Sequence, residues 1–484
     1  MKNIYKYLLL FVATALIVSC NEEDLEPTLA QDKDLATGIN TAADLASVLN
    51  SAYDRMTGSG HYGRNTIIMG DVRTDNAYST MNSGRFAASN MDHTAQGYGP
   101  WGTIYGVIAI TNIVIGVDGS SLTGSQTAIS HTQGQAYALR ALAHFDLLRM
   151  YGQHFITGQG GGGSLGVPYV KTYKNPDNLT PARDTVGSNV GDITADITTA
   201  ISMMSASLDS SAAYMTVAGA YAIGARALLY AGSVNSSLYA TAGTMAKWVI
   251  DNSGKTPVSA AGFNASYSTD YASNAIFELS FTGTDNRGIN GVAYILRGTS
   301  YGDVRILTRD RTKAMTSPDL LDIAEVGDVR FAANMIGLAQ AQQTVLGKYP
   351  TMSGADNITL FRIEEMHLIY AEAMLRGGDA ATAKTYLNNI PALRGLGADF
   401  YASATLDNIL LERRKEFYFE GMRYDDLLRT GKGMPLVNPF KQMNDDKTGS
   451  PPGFGDYNTA YPIGTGELNA NPNMVENYEI GRAS

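Results

Sequence analysis

The sequence predicts a mostly α-helical fold of stacked helical hairpins of tetratricopeptide-like type, with long irregular loops and a few short strands. Three observations predict this fold class. Apolar residues recur at spacings of three and four in several segments, and polar stretches rich in glycine and serine separate these segments. One pair of segments also carries the signals of a helical hairpin. No strict repeat period runs through the chain, so the repeat pattern alone is weak evidence.

The helical elements follow in order. Thr41 is a capping residue for a first helix. Two neighbouring apolar stripes in the clearest segment, 133–151, require helices packed on two of its sides, as in a stack. Gly377-Gly378-Asp379 predicts a helix stop followed by an aspartate cap. The predicted segments after the first helix are 101–117, 133–151, 193–204, 217–232, 242–250, 363–377, 380–390 and 406–428.

Long polar stretches lie between these helices. Segments of this length inside a compact domain are usually functional or disordered. Two apolar runs within them, 277–281 and 293–296, are predicted as short strands. The stretches span residues 57–100, 153–185, 253–312 and 431–462.

The N-terminus predicts export and lipidation. Lys2 and Lys6 precede an apolar run of ~11 residues, too short for a membrane-spanning helix of roughly twenty. Ile17-Val18-Ser19-Cys20 resembles a bacterial lipoprotein box, and the acidic residues 22–24 resemble a surface-export signal. We therefore expect a signal peptide over 1–19, a lipidated tether over 20–40 and a helical domain over 41–484. The alternative is an ordinary secretory signal with an incidental cysteine.

Composition limits the functional classes. The chain has 484 residues, a net charge of -10 and a single cysteine. An acidic chain is a poor partner for nucleic acid. Acylation of that cysteine would leave no thiol for a disulfide, so stability would come from packing.

Catalytic patterns are sparse. None of the six histidines belongs to a His-Glu-x-x-His zinc motif. Gly-x-Ser-x-Gly occurs around Ser164 and Ser300, but neither site has the strand before and the helix after that a nucleophile elbow needs. His144 and His367 lie in helical patterns as packed groups. We expect no enzyme activity, no cofactor and no metal ligand.

Charged residues near the C-terminus suggest buried ion pairs. In the segment from residue 406, Arg413 shares a face with apolar residues, where an unpaired charge would be costly. We predict a carboxylate partner, either Glu372 or Asp425. Glu412, Glu416 and Glu420 alternate with basic residues and predict a solvated or ion-paired face.

Several motifs in order resemble the SusD/RagB family of surface lipoproteins. The resemblance is collinear and covers nearly everything after Cys20. It implies capture of a nutrient for a SusC-like TonB-dependent outer-membrane transporter, with ligand held by loops on the face away from that transporter. The matching stretches include Asp75-Asn76-Ala77, Ala138-Leu139-Arg140-Ala141, Phe145-Asp146-Leu147, Gly166-Val167-Pro168-Tyr169, Ala225-Arg226-Ala227-Leu228, Tyr370-Ala371-Glu372-Ala373, Glu412-Arg413-Arg414, Glu420-Gly421-Met422-Arg423 and Tyr461-Pro462-Ile463.

Polar-aromatic clusters in the two longest loops are the candidate ligand contacts. A sugar ring can stack its apolar face on an aromatic side chain, while its hydroxyls bond to Asp, Asn and Arg. The alternative is that Asp75, Asn76 and Trp101 only build the loop and the helix start. The first cluster comprises Asp71, Arg73, Asp75, Asn76, Tyr78, Arg85, Tyr98 and Trp101, and the second comprises Tyr294, Arg297 and Tyr301.

Three functions remain open on the sequence. The leading one is a non-enzymatic lipoprotein, on the extracellular side of the outer membrane, that binds oligosaccharide or polysaccharide and delivers it to the transporter. The membrane would be contacted only through the lipid anchor. Peptide capture by the same scaffold is the alternative, and a surface hydrolase is the third.

Overall fold

The computed structural model describes residues 38–91, 99–312, 317–442 and 451–477. The predicted signal peptide, Cys20, Tyr98 and almost all of the predicted tether lie outside these ranges. None of the described helices is both long enough and apolar enough to cross a bilayer.

Helices are the main secondary structure of the described residues, with only a few short strands, which confirms the predicted fold class. The helices are α1 (Ala42–Thr57), α2 (Asn65–Val72), α3 (Ala87–Met91), α4 (Trp101–Gly116), α5 (Gln126–Tyr151), α6 (Val186–Met203), α7 (Val217–Ala231), α8 (Leu238–Asn252), α9 (Val292–Arg297), α10 (Ile363–Arg376), α11 (Ala380–Ala392), α12 (Leu406–Phe417), α13 (Arg423–Leu428), α14 (Pro439–Gln442) and α15 (Thr465–Ala470).

The long helices form a stack in which each contacts the next. The order of contact is α1, α4, α5, α6, α7, α8, α10 and α11. Both predicted apolar stripes of α5 are buried, because α4 and α6 cover two of its sides. At Gly243 an added Cβ would lie 2.7 Å from the Cβ of Ala373, so only glycine allows α8 to approach α10 this closely.

Local capping signals place the helix ends. The hydroxyl of Thr41 accepts the N–H of Asp44, and the Asp44 carboxylate accepts the N–H of Thr41, which completes a capping box. Gly378 adopts a φ of 87°, and the carboxylate of Asp379 accepts the N–H of Thr382. The predicted hairpin of α10 and α11 is therefore confirmed.

Two sequence predictions about the elements are wrong. Residues 293–296 lie in helix α9 instead of a strand. The helix predicted over 406–428 is interrupted between α12 and α13, because Phe419 (φ 57°) and Gly421 (φ 78°) adopt left-handed conformations. Helix α5 also begins at Gln126, earlier than residue 133.

Six short strands form three two-stranded antiparallel sheets in the described residues. Strand β2 includes most of the predicted strand 277–281. The strands are β1 (Ala77–Ser79), β2 (Ala275–Leu279), β3 (Val304–Ile306), β4 (Ile336–Ala339), β5 (Gln342–Val345) and β6 (Ile358–Arg362). Strand β1 pairs with β3, β2 with β6, and β4 with β5.

A buried network of ion pairs surrounds α12. Glu416 accepts from Arg362 at 2.6 Å and from Arg394 at 2.7 Å, and it also pairs with Arg330. Burial opposes ionisation of Glu416, but Arg394 and Arg362 hold its pKa well below the ordinary value. The glutamates of α12 are therefore ion-paired, as predicted, although they are buried instead of solvated.

The predicted partner of Arg413 requires a correction. Its Nε donates to Asp426 Oδ2 at 2.8 Å. The two residues predicted from the sequence have other partners: Glu372 pairs with Arg429, and Asp425 pairs with Arg149.

Candidate ligand-binding site

The pairing of β1 with β3 brings the two predicted loop clusters together. Tyr78 lies opposite Arg305 in the antiparallel register, so the loop after β1 meets the loop before β3. Asn82 Nδ2 donates to the carbonyl oxygen of Tyr301 at 2.7 Å. The N–H and hydroxyl of Ser83 donate to the Asp303 carboxylate at 2.7 and 2.8 Å. Loops 220 positions apart in the sequence thus form one unit.

A group of aromatic and polar side chains lies on this unit. The Arg85 guanidinium carbon lies 4.0 Å from the centre of the Tyr301 ring, within cation–π distance. Tyr294 meets Tyr301 edge to face, with centroids 5.8 Å apart. Arg85 Nη2 donates to Asn290 Oδ1 at 3.2 Å. We call Asn82, Arg85, Asn290, Tyr294 and Tyr301 the loop site.

The loop site has groups available for a ligand. Arg85, Tyr294 and Tyr301 are only partly buried. Arg85 Nη1 has no acceptor among the described residues, but it is buried and lies out of a ligand's reach in this conformation. Met81 and Ile289, adjacent to the site in sequence, are about half exposed. Partly exposed aromatic rings beside a guanidinium group and side-chain amides suit a ring with one apolar face and several hydroxyls.

Two other predicted residues lie beside the loop site in fold-supporting positions. Tyr78 is buried in β1 and packs with Leu307 and Val437. Arg297 Nη1 donates to the carbonyl oxygen of Val345 at 2.8 Å and so ties α9 to β5.

The acidic part of the first cluster is buried. Asp71 accepts the N–H groups of Phe419 and Gly421, and its burial raises its pKa to about 6. Burial opposes the ionisation of Asp75, but Arg414 and Arg423 lower its pKa below the ordinary value. These contacts join the N-terminal segment to α12 and α13, in line with the alternative that the cluster builds the fold.

Asn76 and Arg73 are also buried and hold the same region together. Asn76 Nδ2 donates to Asp71 Oδ1 at 2.8 Å. The Arg73 guanidinium lies 4.2 Å from the ring centre of Tyr424 and 4.3 Å from that of Tyr461. In this conformation each of the four side chains of this region is at most 1% exposed and offers little surface to a ligand. The four are Asp71, Arg73, Asp75 and Asn76.

Trp101 lies in a separate aromatic cluster. Its indole Nε1 donates to Glu467 Oε2 at 3.2 Å, and its ring contacts Tyr105 and Tyr151 at centroid distances of 4.9 Å. Tyr151 in turn packs against Tyr461. Trp101 is partly exposed, but no contact between it and the loop site occurs within the described residues.

Sequence reasoning missed Asn82, Ser83, Asn290 and Asp303. They are short polar residues in polar loops, and nothing in their spacing distinguishes them from their neighbours. Only the β1–β3 register, which unites the loops, could have pointed to them.

The structure adds little that resembles a catalytic centre. The Ser164 hydroxyl donates to the carbonyl of Gly161 at 2.6 Å within a turn, and Ser300 lies in a loop. His144 is buried and stacks on Tyr169 at 3.7 Å, and His367 is also buried, so both are packed as predicted. In the part of the chain that the structure describes, no group of three His, Cys, Asp or Glu side chains could hold a metal ion.

Two family models match the chain. A model described as the SusD family matches residues 342–479, and one described as starch-binding and associating with the outer membrane matches residues 25–229. The starch-binding protein SusD of Bacteroides thetaiotaomicron is 33% identical over 123 residues, which cover 25% of this chain and 21% of that protein. The SusD-like protein P38 of Formosa agariphila is 29% identical over 144 residues, covering 26% of this chain and 28% of that protein. The chain thus aligns with less than a third of each curated relative.

Solved structures match along most of the chain. A SusD superfamily protein from Bacteroides thetaiotaomicron is 25% identical, with a TM-score of 0.76, over 91% of this chain and 100% of that one. A protein from Bacteroides vulgatus that is provisionally described as sugar-binding is 26% identical, with a TM-score of 0.77, over 91% of this chain and 99% of that one. A laminarin-binding SusD-like protein shares the fold. It is 19% identical, with a TM-score of 0.67, over 90% of this chain and 99% of that one.

The fold and the candidate site define a protein with a stack of helices and long irregular loops, two of which are joined by the pairing of β1 with β3. The family models that match both parts of the chain, together with the similar solved structures, identify its family. The chain belongs to the SusD/RagB family.

Proposed function

We propose that this protein binds oligosaccharide or polysaccharide at the loop site and delivers it, uncleaved, to a SusC-like TonB-dependent outer-membrane transporter. The observation that carries the proposal is the partly exposed pair of Arg85 and Tyr301, with Tyr294 beside it. A sugar can stack on these rings and bond to Arg85 and to the amides of Asn82 and Asn290. The names of relatives that bind starch and laminarin support a glycan ligand.

The proposed location is the extracellular face of the outer membrane, with lipid attached at Cys20. The family description names the outer membrane, and two or more acyl chains give stable anchoring. Mass spectrometry of the mature N-terminus tests the lipid, and protease treatment of intact cells tests the exposed face. Co-purification from detergent-solubilised outer membranes tests the transporter partner.

Isothermal titration against a panel of glycans and peptides tests the ligand class. Maltohexaose and laminarihexaose are the first probes, because relatives bind starch and laminarin. The variant Arg85→Ala/Tyr301→Ala is expected to lose at least tenfold in glycan affinity. Tyr457→Ala is the matched control, because Tyr457 is 44% exposed and belongs to the C-terminal segment. Unchanged affinity in the double variant would contradict the site, and binding of peptides alone would contradict the ligand class.

A further inference from the structure

A cavity away from the loop site, which we call the Trp248 cavity, is lined in part by α7 and α8. Its volume is about 330 Å³, within the range of about 300–1,000 Å³ that is typical of small-ligand sites. It lies between the start of α7, the end of α8 and the segment before α7. No residue of the loop site lines it. Its polar and aromatic lining includes Asp209, Ser211, Thr216, Trp248, Asn252 and Lys255.

The aromatic side of this cavity is Trp248. One face of its indole stacks on Tyr221, with centroids 3.9 Å apart and planes 11° from parallel. The side chain remains partly exposed and lines the cavity. Because Tyr221 fixes the orientation of the indole, contact with a ligand would cost little side-chain entropy.

The polar side of the cavity offers both acceptors and donors. Both oxygens of Asp209 lie 3.2 Å from the N–H of Val217, and partial burial raises the pKa of Asp209 to about 6. The half-buried Lys255 ammonium forms no hydrogen bond or ion pair with the described residues. Asn252 Nδ2 donates to the carbonyl of Trp248, which leaves the amide oxygen of Asn252 available.

The larger groove around residues 169–192, about 650 Å³, has no tryptophan in its lining, and Tyr169 is its one aromatic residue. Lys171 is paired there with Asp192 at 2.7 Å. Tyr169 is nine-tenths buried and stacks on His144. The Trp248 cavity is therefore the better built of the two.

We propose that the Trp248 cavity is a second saccharide site, which binds one pyranose unit independently of the loop site. The pyranose packs its apolar face against Trp248. Its hydroxyls donate to Asp209 and accept from Lys255. An aromatic ring with a carboxylate and an ammonium at the same cavity matches the alternating apolar and polar character of a sugar.

The two tryptophans of the chain allow a selective test. Protein labelled with 5-fluorotryptophan gives one ¹⁹F resonance for Trp101 and one for Trp248, assigned with Trp101→Phe. It is titrated with maltohexaose, laminarihexaose, cellohexaose and xylohexaose. We expect a saturable shift of the Trp248 resonance with at least one of them, and the same shift in the Arg85→Ala/Tyr301→Ala variant.

Lys255 and Lys247 lie close together in the sequence and provide a matched pair of variants. Lys255→Met is expected to weaken the Trp248 response at least threefold. Lys247→Met should leave it unchanged, because Lys247 lies on α8 in an ion pair with Asp251 and does not line the cavity. A Trp248 resonance that stays fixed with every probe, or that responds only while the loop site is intact, would overturn the proposal. Whether the loop site binds glycan is tested separately, by calorimetry of the Arg85→Ala/Tyr301→Ala variant.

Discussion

The carboxylate of Asp71 accepts the backbone N–H of Gly421 at 3.0 Å. Its other oxygen accepts the N–H of Phe419 at 3.1 Å. Both N–H groups belong to the turn between α12 and α13, where left-handed backbone conformations interrupt the helix. Asp71 therefore satisfies the donors that the interruption exposes inside the core.

Replacing Asp71 with alanine should destabilise the protein by about 2–6 kcal/mol. Two buried N–H groups lose their acceptor, and each unsatisfied group costs about 1–3 kcal/mol. Urea unfolding followed by circular dichroism measures the loss. A variant within about 0.5 kcal/mol of the wild type would show that the turn does not depend on Asp71.

Gly70→Ala should also destabilise the protein, by about 1–3 kcal/mol, because it overpacks the core. An added Cβ would lie 2.6 Å from the Cα of Gly421, and this backbone cannot easily move. Gly191→Ala is the control, because it is an exposed position in α6 with nothing within 4 Å of the added Cβ. The control should gain up to about 1 kcal/mol from helix propensity. Equal changes in unfolding free energy would refute the close contact.

Arg413→Ala should lower the melting temperature without changing glycan affinity. Removing the guanidinium leaves Asp426 with only Arg429, and breaking a buried pair costs about 3–5 kcal/mol. Arg376→Ala, at a partly exposed pair with Glu372, should cost less than about 1 kcal/mol. Differential scanning calorimetry and titration together check this prediction. A stable Arg413 variant that fails to bind would contradict it.

His144 should make stability depend on pH in the acidic range. Its Nδ1 donates to the Arg140 carbonyl and its Nε2 accepts the N–H of Val170, so the neutral tautomer fits. Burial lowers its pKa to about 3, from an ordinary value of 6.5. The folded state therefore binds fewer protons than the unfolded state between pH 3 and 6.5, and stability falls as the pH decreases through this range.

His144 contributes at most about 1.4 kcal/mol per pH unit to the slope of the unfolding free energy against pH. In His144→Gln the unfolding free energy, measured between pH 6 and 4.5, should fall less steeply than in the wild type. His154 and His367, whose pKa values burial lowers to about 3 and about 4, still contribute to the slope of that variant. Parallel slopes in the two proteins would contradict this assignment.

Tyr301→Phe should retain glycan binding within about threefold, whereas Tyr301→Ala should weaken it about tenfold. The ring stacks on Arg85, and no side-chain hydrogen bond of the Tyr301 hydroxyl occurs in the described residues. A tenfold change in affinity corresponds to about 1.4 kcal/mol, within the range of an aromatic anchor. Titration with the same hexaoses checks both variants. Equal losses in Phe and Ala would mean that the hydroxyl, not the ring, makes the contact.

The sequence predicted the helical stack because apolar spacing and caps are local signals. Thr41, Gly378 and Asp379 act within a few residues of their own positions, so their pattern predicts their structure directly. The interruption at Phe419 is different. It depends on contacts with Asp71 and Gly70, which lie far away in the sequence.

The same interruption explains the error about Arg413. In a continuous helix, Arg413 and Asp426 would lie about 20 Å apart, at 1.5 Å per residue. Their contact at 2.8 Å is possible only because the chain turns back after α12. A single helix and a pairing between Arg413 and Asp425 were thus incompatible predictions.

The candidate site was predictable in composition but only partly in geometry. Arg85 lies beside Tyr294 and Tyr301, although the sequence assigned them to two separate clusters, while Asp71 and Asp75 are buried. Residue type does not distinguish an acidic side chain that faces solvent from one that binds two arginines. That distinction arises when distant segments pack.

The pairing of β1 with β3 has a consequence for how such a protein diversifies. Three residue pairs join the buried strands β1 and β3, and the side chains of Asn82 and Ser83 join the loops beyond them, so changes within the loop tips need not disturb the core. New specificities can therefore arise by exchanging the loops as cassettes. A graft of both loops together, with the strand residues kept, is the natural unit for transplanting recognition from one homologue to another.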